Sequence, residues 1–307
     1  MLESLLAYGW IPAILTGAGL FILLICIANQ FTSCQLIRNV FLYGKLNEQE
    51  STTTRLPRWF YVPKKWFSHF YIVSIVCIAF WLLFMQGISG RFFKTETRAV
   101  LKLRSLTWEH RAPSVSWSTA QFALWLLFIH SLRRAYETLY VSVFSSSQMN
   151  LLHYLTGVGH YFLLPLSIIS ETKGVVTSDY VHFSFGDISG EQWGAAIIFL
   201  MLNLAQNQVA RQMGDLRKSL SGTVRHYSYG VCYGGLFDFV SSPHFFLEIL
   251  IYVSMTGFLW QCFAFKFVLL FVVLNQMCAG FVTHQWYLST FPGKYPKERK
   301  AIIPWTF

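Results

Sequence analysis

The sequence predicts an all-α, polytopic membrane protein: a bundle of seven transmembrane helices. Three observations carry that fold class. Of 307 residues, 54% are hydrophobic and only 12% charged, against about 25% charged in an ordinary soluble domain. Seven apolar stretches are each long enough to cross a hydrocarbon core, which takes about 20 helical residues. Aromatic residues make up 18% of the chain, and Trp and Tyr at the ends of apolar stretches suit the headgroup region.

The spans fall near 8–30, 69–87, 117–145, 149–170, 192–210, 244–264 and 266–288, within a single membrane-embedded domain of 1–307. The first follows the acidic Glu3, has no basic segment before it, and runs too long for a cleaved signal peptide, so it is expected to be retained. The second opens with Ser68-His69, where a lone His suits an interface residue as well as a site. The third carries His130, Ser131, Arg133, Arg134 and Glu137. An ionisable side chain inside a span costs roughly 2.5–3.5 kcal/mol on insertion scales, so each needs a partner or a task. Arg133 and Glu137 are spaced for an i,i+4 pair. The set is therefore either an ion pair locking two helices or the wall of a cavity that holds an anion.

The fifth span carries Asn203, Gln206 and Asn207, which can bond across helices. Arg211, Arg217 and Lys218 follow as interface anchors or a phosphate grip. The sixth starts Ser242-Pro243-His244, read as an N-cap followed by proline at the first helical position. His244 and Glu248 share one face there, and a helix N-terminus beside a basic side chain suits an anion. The seventh holds Asn275, Gln276, His284 and Gln285. Very little separates it from the sixth, around Lys266 and its neighbours, which predicts a tight hairpin.

Orientation follows from Lys and Arg. With the N-terminus outside, fourteen of these cations fall in cytosolic segments and eight in the others, which favours a cytosolic C-terminus. The segment 88–116, with six cations on the other side, runs against the rule. The net charge of +10 sits largely beside apolar runs, where it can meet anionic headgroups or a phosphorylated cofactor rather than nucleic acid. The six cysteines form no CxxC pair, and no HExxH, GxGxxG or GxxxxGK[ST] occurs. Metal, Rossmann and P-loop sites are not signalled. The scattered His, Arg, Asn and Glu of the spans point instead to a cavity between helices, large enough for a polar ligand beside a lipid.

The run from Gly234 to Glu248, Gly-Gly-Leu-Phe-Asp-Phe-Val-Ser-Ser-Pro-His-Phe-Phe-Leu-Glu, resembles the core motif of the steroid 5α-reductase family. Tyr295 to Pro304 resembles that family's closing motif, Leu216-Arg217-Lys218 its loop before the sixth span, and Tyr43-Gly44-Lys45 a motif near its N-terminus. Val62 to Tyr71, His130-Ser131-Leu132-Arg133-Arg134 and Leu139 to Ser145 look like the type 3 branch, which reduces polyprenal. The resemblance covers nearly the whole chain.

It implies a seven-helix enzyme of the endoplasmic reticulum membrane that uses NADPH to saturate the α-isoprene double bond of polyprenal or polyprenol, in the dolichol pathway that supports protein N-glycosylation. The implied cofactor cavity opens to the cytosolic side. Position by position, it assigns Arg134 and Arg217 to phosphate and Glu248 to the nicotinamide amide. Gln206 and His244 stand where asparagines are usual, and Tyr229 and Tyr287 line the cofactor cleft. Where steroid-reducing relatives use a Gln-Glu pair and a Tyr on the substrate carbonyl, this chain has Ser68-His69 and Ser131. His69 is expected as the catalytic acid, with Ser131 orienting the substrate. An arginine expected after Tyr229 is Gly230. No metal and no obligate protein partner are expected; the partners are a polyprenoid lipid and membrane lipids. The rival readings are a reductase for a steroid enone, a membrane methyltransferase for prenylated substrates, and a lipid carrier without a cofactor.

Overall fold

The computed structural model describes residues 9–31, 57–89, 112–176 and 181–306. Glu3, Tyr43-Gly44-Lys45, Arg38, Arg55 and all six cations of 88–116 lie outside the described residues. Among those described, seven long helices follow one another: α1 (Trp10–Phe31), α2 (Ser68–Ser89), α3 (Trp117–Tyr136), α4 (Leu151–Ile169), α5 (Gly190–Asp215), α6 (Pro243–Phe258) and α7 (Phe263–Thr290). By length and composition, four segments can cross a membrane: Trp10–Phe31, Lys64–Gly87, Leu151–Ile169 and Phe263–Thr290. Helix α6 is apolar but has only 16 residues, and α3 and α5 carry the polar residues of the interior.

Local sequence explains the helix starts. Ser116 accepts from the Thr119 amide at 3.1 Å and Asn150 from the His153 amide at 2.7 Å. Ser189 and Gln192 form a reciprocal capping box. Each satisfies amides that the helix itself leaves unpaired. Ser242 does occupy the N-cap of α6 with Pro243 next, but its hydroxyl makes no cap bond; only its carbonyl is used, by the Phe245 amide at 3.0 Å.

The α6–α7 hairpin has its turn at Leu259–Cys262, earlier than expected from Lys266. The cause is remote in sequence. The Glu171 carboxylate, buried after α4, accepts from the Phe263 and Ala264 amides at 3.0 and 2.6 Å and so starts α7 there. Lys266 lies inside the first turns of α7, its ammonium 4.6 Å from the Trp260 ring centroid.

A second difference lies after α3. That helix ends in a π turn, Glu137–Val141. The chain then forms a short strand, β2 (Gln148–Asn150), antiparallel to β1 (Tyr61–Pro63), with Val62 opposite Met149. Both of those side chains are buried. The ribbon ties the start of α2 to the start of α4 and brings Lys64 over the interior.

The main packing pairs are α5 with α6, α7 with α1, α2 with α3, α7 with α6 and α2 with α4. Outward faces are strongly apolar. Ile197, Met201 and Leu204 are exposed on α5, and Val76, Phe80 and Leu83 on α2, at helical spacing. Apolar stripes facing away from the core suit a lipid solvent, while Asn203 and Gln206 of α5 point inward and are buried.

Candidate active site

A cavity of about 400 Å³ lies inside the bundle, within the size range of small-molecule sites. Arg134, Gln206, Arg217, Tyr229, His244, Glu248 and Tyr287 all line it. Seven residues spread over 154 positions of sequence thus meet on one wall.

The neighbouring arginines of α3 have separate tasks. Successive helical residues point about 100° apart. Arg133 turns toward α5: its Nη1 donates to Glu137 Oε1 at 2.5 Å, its Nη2 to Gln206 Oε1 at 2.5 Å, and its Nε to Asn203 Oδ1 at 3.0 Å. Asn207 donates to Glu137 from the same helix at 2.7 Å. This is the helix lock. Arg134 turns toward α2 and the cavity. Its Nε and Nη2 both donate to the Tyr71 phenol oxygen, at 3.0 and 2.6 Å, and its Nη1 to Glu137 Oε2 at 2.6 Å. Lock and cavity wall are therefore adjacent faces of one helix.

Glu248 is 6% exposed. One of its oxygens accepts from Gln206 Nε2 at 2.6 Å, and the other lies 3.8 Å from His130 Nε2. The same Gln206 nitrogen donates to the His244 carbonyl at 3.1 Å. Gln206 thereby joins Arg133, Glu248 and the start of α6.

At another part of the wall, Arg217 donates through Nε to the Ser228 carbonyl at 3.1 Å and through Nη1 to the Val143 carbonyl. Its guanidinium sits 4.4 Å from the Tyr229 ring centroid. Lys218 donates to the Val141 carbonyl at 2.8 Å, where the π turn ends, a favourable place for a cation. Tyr287 stacks on Tyr295, with centroids 5.1 Å apart and planes 12° apart.

The two motifs far apart in sequence that define the resemblance are one unit in space. Val240 and Lys300 form a parallel bridge, and Ser241 donates its amide to the Lys300 carbonyl at 2.9 Å. The Ser241 hydroxyl meets Tyr295 Oη at 2.5 Å and His284 Nδ1 at 2.6 Å. Burial pushes the Tyr295 phenol up from its ordinary value, so it keeps its proton for that contact. Gly234 and Gly235 have φ of 89° and 60°, a left-handed pair that favours glycine. Gly280 of α7 faces Ile302 so closely that a Cβ would overlap it.

Two expected residues are not part of the wall. His69 is turned to the Tyr154 phenol at 3.1 Å, beside the Trp66 ring. Ser131 is fully buried, its hydroxyl 2.7 Å from that of Ser74. Neither lines the cavity, because each is already satisfied between helices. Conversely, Tyr71, His153, His160, Tyr161 and Tyr252 line it and were not among the expected residues. His153 and His160 offered a signal, two imidazoles seven residues apart in an apolar span. Tyr71 closes the Val62-to-Tyr71 motif, but Tyr161 and Tyr252 offered no signal, since an aromatic in an apolar run reads as core. His160 stacks on Phe271, centroids 4.9 Å apart, with Nε2 3.2 Å from Tyr252 Oη. Among the described residues no cluster of His, Cys, Asp and Glu could hold a metal.

Comparison with known proteins bears on these motifs. A family profile described as 3-oxo-5-alpha-steroid 4-dehydrogenase matches residues 168–307. A polyprenal reductase of Caenorhabditis elegans is 40% identical over 273 residues, 89% of this chain and 88% of the relative. Polyprenal reductases of Homo sapiens and Drosophila melanogaster are 31% and 34% identical, over 95% and 87% of this chain and 93% and 83% of theirs.

Proposed function

The chain belongs to the steroid 5α-reductase family, among its polyprenal reductases, and from that premise we propose an NADPH-dependent reductase of the α-isoprene double bond of polyprenal. The observation that carries the cofactor assignment is the shared wall: residues implied for phosphate, ring and amide contacts all line one cavity. Its donor set suits a reduced dinucleotide. Lys64 and Arg217 supply positive charge for phosphate, Arg134 being bonded to Tyr71 and Glu137; Tyr229 and Tyr287 supply ring faces, and Glu248 with Gln206 supplies an acceptor and donor pair. An elongated ligand with phosphates at one part and an amide at another matches that order.

Bound there, NADPH supplies two electrons and a hydrogen to the substrate. Glu248, held by Gln206, would accept from the carboxamide. Arg217, anchored on the Val143 and Ser228 carbonyls, would hold phosphate. The apolar part of the wall, with Phe21, Ile25, Phe67, Phe70, Phe271 and Val272, takes the isoprene units and keeps water out. The aldehyde is favoured over the alcohol on chemical grounds. A β-carbon conjugated to a carbonyl is electron-poor and accepts hydride; an allylic alcohol has no such carbon. His69 and Ser131, set back from the wall, act on this reading as supports of α2 and α3.

We further place the protein in the endoplasmic reticulum membrane as a single seven-span domain. The cavity mouth and C-terminus face the cytosol, and the product enters dolichol synthesis. The direct check is cofactor binding. NADPH should raise the Tm of purified protein in detergent, whereas S-adenosylmethionine should not. Stabilisation by S-adenosylmethionine alone would favour the methyltransferase, and no shift with either would favour a lipid carrier.

A further inference from the structure

We propose that Tyr71 is the catalytic residue that hydrogen-bonds the substrate's aldehyde oxygen and gives it a proton, with Arg134 as its positioning residue and Tyr161 as its neighbour on the wall. This rests on the polyprenal reading above and names the residue that reading lacks, since His69 and Ser131 do not line the cavity.

Arg134 fixes the orientation of the Tyr71 phenol. Three of its N–H groups are committed to protein: two to the Tyr71 phenol oxygen and one to Glu137. Its guanidinium carbon also lies 4.9 Å from the Tyr71 ring centroid. A phenol oxygen has two lone pairs and one hydrogen. Two guanidinium bonds occupy the lone pairs, so what Tyr71 has left to give is its phenol hydrogen, either to the Tyr161 phenol beside it or to an incoming acceptor. Negative charge left on the oxygen would be shared with a fixed cation at hydrogen-bond distance, which is preorganised electrostatic support.

Position agrees with this. Tyr71 is 2% exposed and lines the cavity, and the Tyr161 ring meets it edge-on with centroids 5.2 Å apart. Tyr71, Tyr161 and Tyr252 line the same cavity as Glu248, the carboxylate to which the nicotinamide amide is assigned. A carbonyl oxygen conjugated to the reacting carbon has to lie within a few ångströms of that place. An aldehyde oxygen only accepts, and Tyr71 only has a hydrogen to give.

The chemistry balances. The β-carbon gains hydride from NADPH, the double-bond electron pair moves toward the carbonyl, and the oxygen takes the Tyr71 proton to give an enol. The enol returns its O–H proton to Tyr71 while the α-carbon takes one from water. The sum is enal plus NADPH plus one proton, giving saturated aldehyde and NADP⁺, with the phenol restored.

The test uses full-length protein, a short polyprenal and NADPH. Tyr71→Phe removes one oxygen and is expected to lower kcat by ~10²-fold, the usual worth of a positioned acid or oxyanion donor, while NADPH-induced stabilisation is unchanged. Arg134→Gln should lower kcat in wild type yet add little in the Tyr71→Phe background, since coupled residues are not additive. Fluorinated tyrosine at position 71 keeps the hydroxyl and the fold and should move the alkaline limb of the pH–rate profile down; it decides alone if Tyr71→Phe does not fold. A Tyr71→Phe enzyme with wild-type kcat, or an unmoved alkaline limb, overturns the assignment. So does an Arg134→Gln variant that only weakens NADPH, equally in both backgrounds. Failure of wild-type protein to reduce polyprenal with NADPH would instead strike the reading beneath it.

Discussion

At the scale of single residues, the site separates groups that hold the bundle from groups that face the ligand. Arg133 and Arg134 are adjacent in sequence and chemically identical, yet one bonds Asn203 and Gln206 and the other Tyr71. The sequence signals both as costly cations in a span but cannot say which turns inward, because that depends on where α2 and α5 sit. His69 and Ser131 were legible as polar residues in the expected places and still lie behind the wall, for the same reason. The two assignments of the acid predict opposite orders: with Tyr71 as donor, Tyr71→Phe loses more kcat than His69→Ala on the same polyprenal. Glu248 gives a separate prediction. Replacing it with Gln removes a charged acceptor worth about 2 kcal/mol, so the Kd for NADPH measured by fluorescence titration should rise roughly 30-fold. An unchanged Kd would move the amide contact elsewhere.

At the scale of elements, the helices were legible because their apolar runs are long, whereas their ends depend on partners distant in the chain. The turn between α6 and α7 is set by Glu171, more than ninety residues away, and local sequence near Lys266 carries no trace of it. Glu171 also accepts from Ser114 Oγ at 2.7 Å. Glu171→Ala should therefore uncap α7 and cost about 1–2 kcal/mol, read as a lower Tm in detergent, with the kcat of the folded fraction retained. The closing segment is a second case. Ile302 lies against Gly280 and Ser241 joins Tyr295 to the start of α6, so the tail packs behind the helices that line the cavity. Gly280→Val should displace it at a cost of about 1–3 kcal/mol and weaken NADPH stabilisation along with the Tm. A variant that loses neither would mean the tail only decorates the site.

At the scale of the whole molecule, the helices of the described residues enclose a cavity, and four segments are long and apolar enough to cross a membrane. Composition made the membrane class legible, and the family motifs named seven residues that line one cavity. Outward stripes such as Ile197, Met201 and Leu204 on α5 sit back to back with buried Asn203 and Gln206. One helix thus carries an apolar outer face and a polar inner one. What stayed hidden was the inside of the bundle, where aromatic residues of core and site look alike in sequence. The central claim is that this cavity carries hydride from NADPH to a conjugated lipid aldehyde. Purified protein should be given polyprenal, polyprenol and a steroid enone in turn, each with NADPH deuterated at the transferring position. The account predicts a saturated aldehyde from polyprenal with deuterium at the β-carbon, and little product from the other two. Deuterium at the carbonyl carbon, or preferred reduction of the alcohol or the steroid, would contradict it.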